Sequence, residues 1–219
     1  MKRIIAIIST ITIGLMVGGV SALYMAGLVG GKSPAAFADV TKDDWSSDWS
    51  IGSKAADPYV RARVARHGLL ALAKEEAVYF TRAVDSEGAQ LRGDCTYELA
   101  GTGQDAYWWS ITLYDGKSRL PMNSDNALSI DATLVAANYE ADTSYNGNWS
   151  AIVSNTRPKR DKGDHGDALW ISSKGAESFD LMIRLYRPSD AVLARPTETL
   201  NPPTIKRLSC GTTRAGDGA

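Results

Sequence analysis

The chain has 219 residues, of which 44% are hydrophobic and 22% charged, and its formal net charge is −1. A near-neutral chain with no long basic run lacks the electrostatic footprint of a nucleic-acid-binding protein, so we expect no nucleic-acid partner. Once the apolar N-terminus is set aside, roughly 180 residues remain, enough for one domain with its own hydrophobic core.

Residues 1–31 predict a membrane anchor. No charged residue occurs from Ile4 to Gly31, a stretch longer than the roughly 20 residues that span a bilayer as a helix. Lys2 and Arg3 favour a cytoplasmic N-terminus, so we expect a single pass through a membrane, with the rest of the chain outside the cytoplasm. The alternative is a signal-like segment cleaved after Ala38, because Ala36-Phe37-Ala38 has the small-x-small form of a cleavage site.

Four small residues of the anchor, Gly14, Gly18, Ala22 and Ala26, fall four apart and therefore share one stripe of a helix. Small residues at this spacing let two membrane helices approach closely, which predicts a weak self-association of the anchor. The alternative is that they reflect only the ordinary abundance of Gly and Ala in membrane helices.

Residues 32–55 are polar and rich in Asp and Ser, which is typical of a tether between membrane and domain. Trp45 and Trp49 are the exceptions in this segment. Spaced four apart, they could form a helical pair, an aromatic belt at the membrane interface, or a clip onto the domain, and we favour the clip.

Asp57-Pro58 is a helix-start signal, because Asp accepts hydrogen bonds at the N-cap and Pro suits the first helical position. We expect one amphipathic helix from Pro58 to about Leu72. His67 lies near its apolar stripe, where a lone His is expected to be a hydrogen-bonded structural residue rather than a catalyst.

From Ala77 onward, short β-rich runs alternate with turn signals such as Asp115-Gly116. This pattern predicts a mainly β fold, an antiparallel β-sandwich over residues 56–210, followed by a flexible tail at residues 211–219. The predicted strands are Ala77–Val84, Cys95–Ala100, Ala106–Tyr114, Ala127–Asp131, Trp149–Ser154, Phe179–Tyr186 and Thr204–Leu208.

The aromatic run from Tyr107 to Tyr114 is the strand around which we expect the domain to be organised. Alternation gives this strand two faces, both rich in aromatic residues, so we expect it to be covered on both sides. The first face holds Tyr107, Trp109, Ile111 and Leu113, and the second holds Trp108, Ser110, Thr112 and Tyr114.

The two cysteines, Cys95 and Cys210, both lie in the part of the chain predicted to be outside the cytoplasm. Each occupies the end of a predicted strand, and an oxidising compartment favours disulfides, so we expect a Cys95–Cys210 bridge. Two buried free thiols are the alternative.

Signals for catalysis are weak. Asp164-His165-Gly166-Asp167, in the charged loop Asn155–Asp167, offers too few ligands for a zinc site, so we expect no metal. The chain has neither a Gly-x-Ser-x-Gly elbow nor a nucleotide-binding glycine loop, so catalytic residues stay unassigned and no cofactor is expected.

Several short sequence motifs, taken together, resemble those of a bacterial family known as domain of unknown function 1214. The resemblance runs from about Ala56 to Cys210 and implies a jelly-roll-like β-sandwich, here in a short membrane-anchored form, but it implies no activity. Where relatives tend to have Asn-Trp-Leu-Pro, this chain reads Ala168-Leu169-Trp170-Ile171, which alters any pocket that those residues shape. The motifs are Ala56-Asp57-Pro58-Tyr59-Val60-Arg61-Ala62, Gly68-Leu69-Leu70-Ala71-Leu72, Glu76-Ala77-Val78-Tyr79-Phe80, Cys95-Thr96-Tyr97, Trp108-Trp109-Ser110-Ile111-Thr112-Leu113-Tyr114, Arg184-Leu185-Tyr186-Arg187-Pro188 and Pro202-Pro203-Thr204-Ile205-Lys206-Arg207-Leu208-Ser209-Cys210.

A ligand-binding face is the best functional hypothesis from the sequence. If the strands that contain Trp108 and Arg184 lie in one sheet, their outward side chains form an aromatic, hydroxyl-bearing patch with one cation, suited to a carboxylate or a sugar. The candidate residues are Trp108, Ser110, Thr112, Tyr114, Arg184 and Tyr186. Alternatively, Arg184 pairs with an acid such as Asp180, and the helix from Pro58 covers this face.

Three functions therefore stay open. The first is an anchored domain that binds a small molecule or a component of the cell envelope. The second is an envelope enzyme, for example a hydrolase acting on sugars or lipids, and the third is a structural module that acts only through protein contacts.

Overall fold

The structure, a computed structural model, describes residues 2–29, 37–54, 56–66, 72–139, 147–159 and 169–211. His67, the motif Asp164-His165-Gly166-Asp167 and residues 212–219 of the predicted tail lie outside these ranges, as does Ala36 of the cleavage signal. The described helices are α1 (Lys2–Met25), α2 (Pro58–Arg66), α3 (Ala132–Tyr139), α4 (Asp190–Ala194) and α5 (Pro196–Thr199). The described strands are β1 (Val40–Lys42), β2 (Trp45–Ser47), β3 (Ala77–Arg82), β4 (Cys95–Thr102), β5 (Ala106–Asp115), β6 (Ser129–Asp131), β7 (Asn148–Ser154), β8 (Leu169–Ser172), β9 (Phe179–Pro188) and β10 (Thr204–Cys210).

The strands form two sheets, one of six strands in the order β1-β2-β3-β9-β5-β6 and one of four in the order β10-β4-β7-β8. Every pair is antiparallel except β7 with β8, which run parallel. The predicted mainly β class is confirmed, and the parallel pair is a departure from a purely antiparallel sandwich.

The core lies between the two sheets and follows from strict alternation along β9. Phe179, Leu181, Ile183 and Leu185 are each at most 2% exposed, and burial of each such side chain contributes about 1.5–3 kcal/mol. They form one cluster with the alternate residues of β5 and with those of β4 and β7 in the other sheet. Trp109 of β5 stacks on Trp149 of β7, with ring centroids 5.2 Å apart, so the sheets pack face to face.

All seven predicted strands are present, with ends shifted by a few residues. Three strands were not predicted: β1 and β2, which lie in a polar segment, and β8, which follows the charged loop. The predicted strand from Ala127 begins only at Ser129, and the chain then turns directly into α3, because Asp131 caps that helix by accepting hydrogen bonds from the N–H groups of Thr133 and Leu134.

The segment interpreted as a tether is partly built into the domain. β1 and β2 extend the six-stranded sheet, and Trp45 is fully buried in the core. The indole Nε1 of Trp45 donates to the carbonyl of Pro203 at 3.0 Å, and the ring of Trp49 lies 5.9 Å from that of Phe80. The prediction that these tryptophans act as a clip onto the domain is confirmed.

Helix α2 begins at Pro58 as predicted, with Asp57 accepting hydrogen bonds from the N–H groups of Tyr59 and Val60. It is described to Arg66, and the predicted end at about Leu72 is not tested, because residues 67–71 lie outside the described ranges and Leu72 itself is not helical.

The predicted disulfide is confirmed. Cys95 and Cys210 face each other directly in the β4–β10 pair and are bonded, with their Cα atoms 3.9 Å apart. The bridge joins two cysteines that are 115 residues apart in the sequence, and it links the edge strand β10 covalently to β4.

We expect the double variant Cys95→Ser/Cys210→Ser to lower the free energy of unfolding by about 2–5 kcal/mol, because the unfolded chain regains the entropy of a long open loop. Guanidinium unfolding of both proteins measures the difference. Wild-type protein unfolded in reductant serves as the control and should match the double variant. Equal stability of the oxidised wild type and the double variant would contradict the prediction.

Candidate functional site

The pairing of β5 with β9 brings the predicted site residues together. In this register Trp108 faces Tyr186, Ser110 faces Arg184, and Thr112 faces Met182. These residues alternate with the buried ones, so they point away from the core on what we call the outer face of the six-stranded sheet. All six predicted residues lie on this face, which confirms their common placement but does not test binding. The outer face comprises Tyr79, Thr81, Trp108, Ser110, Thr112, Tyr114, Ser129, Asp131, Asp180, Met182, Arg184 and Tyr186.

Arg184 lies at the centre of the outer face, half-buried. Its Nη1 donates to the Thr112 hydroxyl at 3.2 Å, and its Nη2 donates to the hydroxyl of Tyr114. The Cζ atom lies 5.4 Å from the centroid of the Tyr114 ring and 6.0 Å from that of Tyr79. Hydroxyls and aromatic rings therefore hold the guanidinium in place while leaving further N–H donors available.

No carboxylate of the described residues forms an ion pair with Arg184. The alternative interpretation, a structural pair with Asp180, is therefore not observed. Neutral hydroxyls orient a cation but do not compensate its charge, so this guanidinium keeps a strong preference for an anionic partner.

An aromatic wall borders the site on the side of α3. The rings of Trp108 and Tyr186 lie 5.2 Å apart, inclined at 55°. Trp108 Nε1 donates to the hydroxyl of Thr133, in the first turn of α3, at 3.0 Å. This hydrogen bond fixes the indole, so the wall presents a rigid and partly exposed apolar surface next to Arg184.

The opposite border is formed by Tyr79, whose hydroxyl lies beside the backbone N–H of Leu72. Burial raises the pKa of this hydroxyl, although the Leu72 N–H and Arg184 act in the opposite direction. Tyr79 therefore stays a neutral hydrogen-bonding group at neutral pH. Tyr79, Thr112 and Tyr114 are part-exposed around Arg184, whereas Ser110, which faces Arg184 in the register, is only 7% exposed.

Asp180 was considered from the sequence only as an ion-pair partner of Arg184, and the structure gives it a different environment. Burial and, to a smaller degree, the neighbouring charge of Asp115 raise its pKa to about 7. Within the described residues its carboxyl group has no hydrogen-bond or ion-pair partner. Asp180 and Arg184 lie four residues apart on one face of β9, a spacing of roughly 13 Å along a strand.

A separate cavity of about 480 Å³ opens between α3, β6 and β8. Leu169 and Trp170, part of the departure from the family pattern, line it together with Arg157, whose Cζ lies 5.9 Å from the Trp170 ring. The Trp170 Nε1 donates to the carbonyl and the hydroxyl of Ser154, so this indole is fixed by its own sheet. Among the described residues, no cluster of His, Cys, Asp or Glu has a form suited to a metal ion.

Comparisons with known proteins agree with this architecture. The model of the family described as "Protein of unknown function (DUF1214)" matches residues 76–190, slightly more than half of the chain. Among curated proteins, none matches the sequence.

The similar solved structures include one from Vibrio parahaemolyticus and one from Burkholderia cenocepacia. The VPA0106 protein from Vibrio parahaemolyticus is 21% identical with a TM-score of 0.55, and the match covers 90% of this chain but 44% of that protein. An uncharacterised protein from Burkholderia cenocepacia is 18% identical with a TM-score of 0.38, over 65% of this chain and 32% of that one. The chain thus spans less than half the length of either protein, and the similarity to the Vibrio protein concerns the fold alone.

The raised pKa of Asp180 predicts a pH-dependent stability. The folded state binds this proton more tightly than the unfolded chain, so the contribution of Asp180 is greatest at low pH and is lost as pH rises through about 7. We expect Asp180→Asn to stabilise the domain at pH 8.5 and to have a smaller stabilising effect, or none, at pH 5.

Urea unfolding at the two pH values measures this difference. Glu98→Gln, at a half-buried position of the four-stranded sheet, is the control and should show no such pH-dependent gain. An Asp180→Asn effect that is the same at both pH values would show that the carboxyl group does not titrate in this window.

Proposed function

The chain belongs to the DUF1214 family, and from this premise we propose that it is a membrane-anchored extracytoplasmic domain that binds a small anionic molecule on the outer face of its six-stranded sheet. The observation that carries the proposal is the half-buried guanidinium of Arg184, which is held by Thr112 and Tyr114 and has no carboxylate partner in the described residues.

The chemistry of the face favours a ligand that combines an anionic group with a ring. The planar guanidinium matches a carboxylate or a phosphate through paired hydrogen bonds, which a lysine does not reproduce. The Trp108–Tyr186 wall offers a flat apolar surface at one side of the cation, and Ser110 faces Arg184 directly in the register. An acidic sugar or a similar ring-bearing acid fits this arrangement.

The proposed location rests on α1, the one helix in the described ranges that is long and apolar enough to cross a membrane. A cleaved signal sequence is also long and apolar, so the contacts at the end of α1 are used to distinguish a retained anchor from a signal sequence. Arg63 of α2 donates to the carbonyl of Met25 at 2.7 Å, and the rings of Tyr24 and Phe37 lie 6.3 Å apart. Cleavage after Ala38 would remove Met25, Tyr24 and Phe37 together, so these contacts support a retained anchor in a bacterial inner membrane.

Self-association of the anchor through Gly14, Gly18, Ala22 and Ala26 stays a proposal. A Cβ atom added at Gly14 or Gly18 would meet nothing within 4 Å in the single chain. The stripe is therefore open to a second helix at these two glycines, whereas Ala26 lies beyond the end of α1 and is buried.

A second candidate function, an envelope hydrolase, is favoured by Asp180. A carboxyl group with a pKa of about 7 is suited to proton transfer at neutral pH, and Asp180 lies on the same face as Arg184. In this alternative Arg184 holds the anionic end of a substrate and Asp180 acts on a bond roughly 13 Å away. Turnover that Asp180→Asn abolishes while binding persists distinguishes this function from simple binding.

The binding proposal predicts a specific effect of Arg184→Lys. We expect this variant to bind glucuronate or inorganic phosphate roughly 10-fold to 100-fold more weakly, because the charge remains but the paired hydrogen bonds are lost. Isothermal titration of the full-length protein in detergent measures the change. Native mass spectra of the same preparations show whether a ligand co-purifies.

The matched control is Arg187→Lys, because Arg187 lies three residues further on β9, is exposed, and packs over Tyr107 away from the site. The control should keep wild-type affinity. If Arg184→Lys unfolds the domain, or if both variants bind like the wild type, Arg184 is a structural residue and the outer face is not the site.

The location predicts that a phosphatase reporter fused after Ala219 is active outside the cytoplasm. Lys2 and Arg3 should hold the N-terminus inside, so the domain is exported while α1 remains in the membrane. Membranes washed with sodium carbonate should retain the protein, and its mass should include α1. A reporter active only in the cytoplasm would overturn the orientation, and a soluble product beginning after Ala38 would overturn the anchor.

A further inference from the structure

The C-terminal end of α1 is closed by its own backbone and by α2. Gly27, with φ +70°, donates to the carbonyl of Tyr24, and Leu28 donates to that of Leu23, both at 2.9 Å, which is a Schellman cap. The carbonyl of Met25 accepts from Arg63 of α2 instead. The apolar helix therefore ends at a fixed point, and α2 is attached to that point by one side chain.

Arg63 makes this attachment rigid. Besides Met25 it forms an ion pair with Asp48 at 2.8 Å, and its Cζ lies 4.3 Å from the centroid of the Phe37 ring. Because its side chain is occupied by these contacts, Arg63 fixes the position of α2 relative to α1.

This attachment sets the depth of α2 in the proposed membrane topology. A helix of 24 residues is about 36 Å long, slightly more than the roughly 30 Å hydrocarbon core of a bilayer. Met25 then lies at the level of the lipid headgroups, and α2, in contact with it, lies there too. Tyr24 and Tyr59, each 38% exposed, are residues typical of that zone.

A cavity of about 490 Å³ lies between α2 and the turn at residues 51–54. Ile51, Val60 and Val64 are among the apolar side chains that line it, and Lys54 and Arg61 provide two cations. The turn packs tightly against the chain after α2, because a Cβ atom added at Gly52 would lie 2.4 Å from the carbonyl oxygen of Leu72. The cavity is thus a groove with an apolar floor and basic groups at its edge.

Both cations are available. Lys54 and Arg61 are exposed, and neither has an ion-pair partner among the described residues. Among the residues that the structure describes, Arg61 donates only through its Nε–H, in a hydrogen bond of 3.2 Å to the carbonyl of Ala56. An apolar groove with two unpaired cations, placed at headgroup depth, is complementary to a lipid with a negative headgroup.

We propose that the groove between α2 and residues 51–54 binds one anionic phospholipid, with the lipid phosphate at Lys54 and Arg61 and an acyl chain along Ile51 and Val64. The proposal rests on the membrane anchoring argued above but not on the ligand of the outer face. It makes α2 a lipid-binding element that orients the domain on the membrane surface.

Native mass spectrometry of the full-length protein tests this proposal, using mixed micelles with equal amounts of dioleoylphosphatidylglycerol and dioleoylphosphatidylcholine. We expect complexes with one phosphatidylglycerol to predominate. In Lys54→Gln/Arg61→Gln, the ratio of phosphatidylglycerol complexes to phosphatidylcholine complexes should fall roughly 30-fold, because each basic residue near a membrane surface contributes a factor of about 5 to the binding of an anionic lipid. Lys54→Arg/Arg61→Lys, which keeps both charges, should retain it.

The matched control, Lys117→Gln/Arg119→Gln, removes two exposed charges in the turn after β5 and should leave the preference unchanged. Equal binding of the two lipids by the wild type, or an equal loss in the control, would overturn the proposal. Displacement of phosphatidylglycerol by excess inorganic phosphate would assign the groove to free phosphate instead, which also overturns it.

The outcomes separate this proposal from the proposed function. Arg184→Lys should keep the lipid preference, so a failure of the outer face as a binding site leaves the groove unaffected. Loss of α1 by cleavage would appear as a lower mass of the protein in the same spectra, and it would remove the anchoring premise. A retained α1 without lipid preference would refute the groove alone.

Discussion

The register between β5 and β9 is the constraint on which the rest of the domain depends. Leu181, Ile183 and Leu185 fill the space between the sheets, so the residues between them must point outward. A slip of one residue would exchange the two sets and place Arg184 in the apolar core, where an unpaired charge is very costly. The packing that stabilises the fold therefore also brings Arg184, Thr112 and Tyr114 together on the other side of the sheet.

Much of this architecture could be predicted because its strongest elements have local signals. The alternation of Phe179–Tyr186 and the aromatic run of β5 identify their strands and faces directly. Elements without such signals were missed for physical reasons. β8 has four residues and pairs in parallel with β7, although a long stretch of sequence separates the two strands. β1 and β2 owe their place to the burial of Trp45, which the polar composition of their segment does not reveal.

The candidate site likewise contains residues that the sequence predicted and residues that it did not. The six predicted residues come from two strands whose patterns are clear, and their adjacency followed from one assumption, that β5 and β9 share a sheet. Tyr79 comes from β3, whose pairing with β9 joins residues distant in sequence. The role of Asp180 depends on its degree of burial, a property of the folded domain rather than of its neighbours in the sequence.

The attachment of the last strand has a consequence for how the protein is made. β10 provides Ile205 to the core, the carbonyl of Pro203 that receives Trp45 lies just before it, and Cys210 at its end is bonded to Cys95. These residues follow all the other described strands in the sequence, so they are synthesised after them and the four-stranded sheet is incomplete at this edge until β10 is added. Until β10 pairs with it and the disulfide forms, β4 has an edge of unpaired N–H and C=O groups, which is the kind of surface at which an incompletely folded chain pairs with another one.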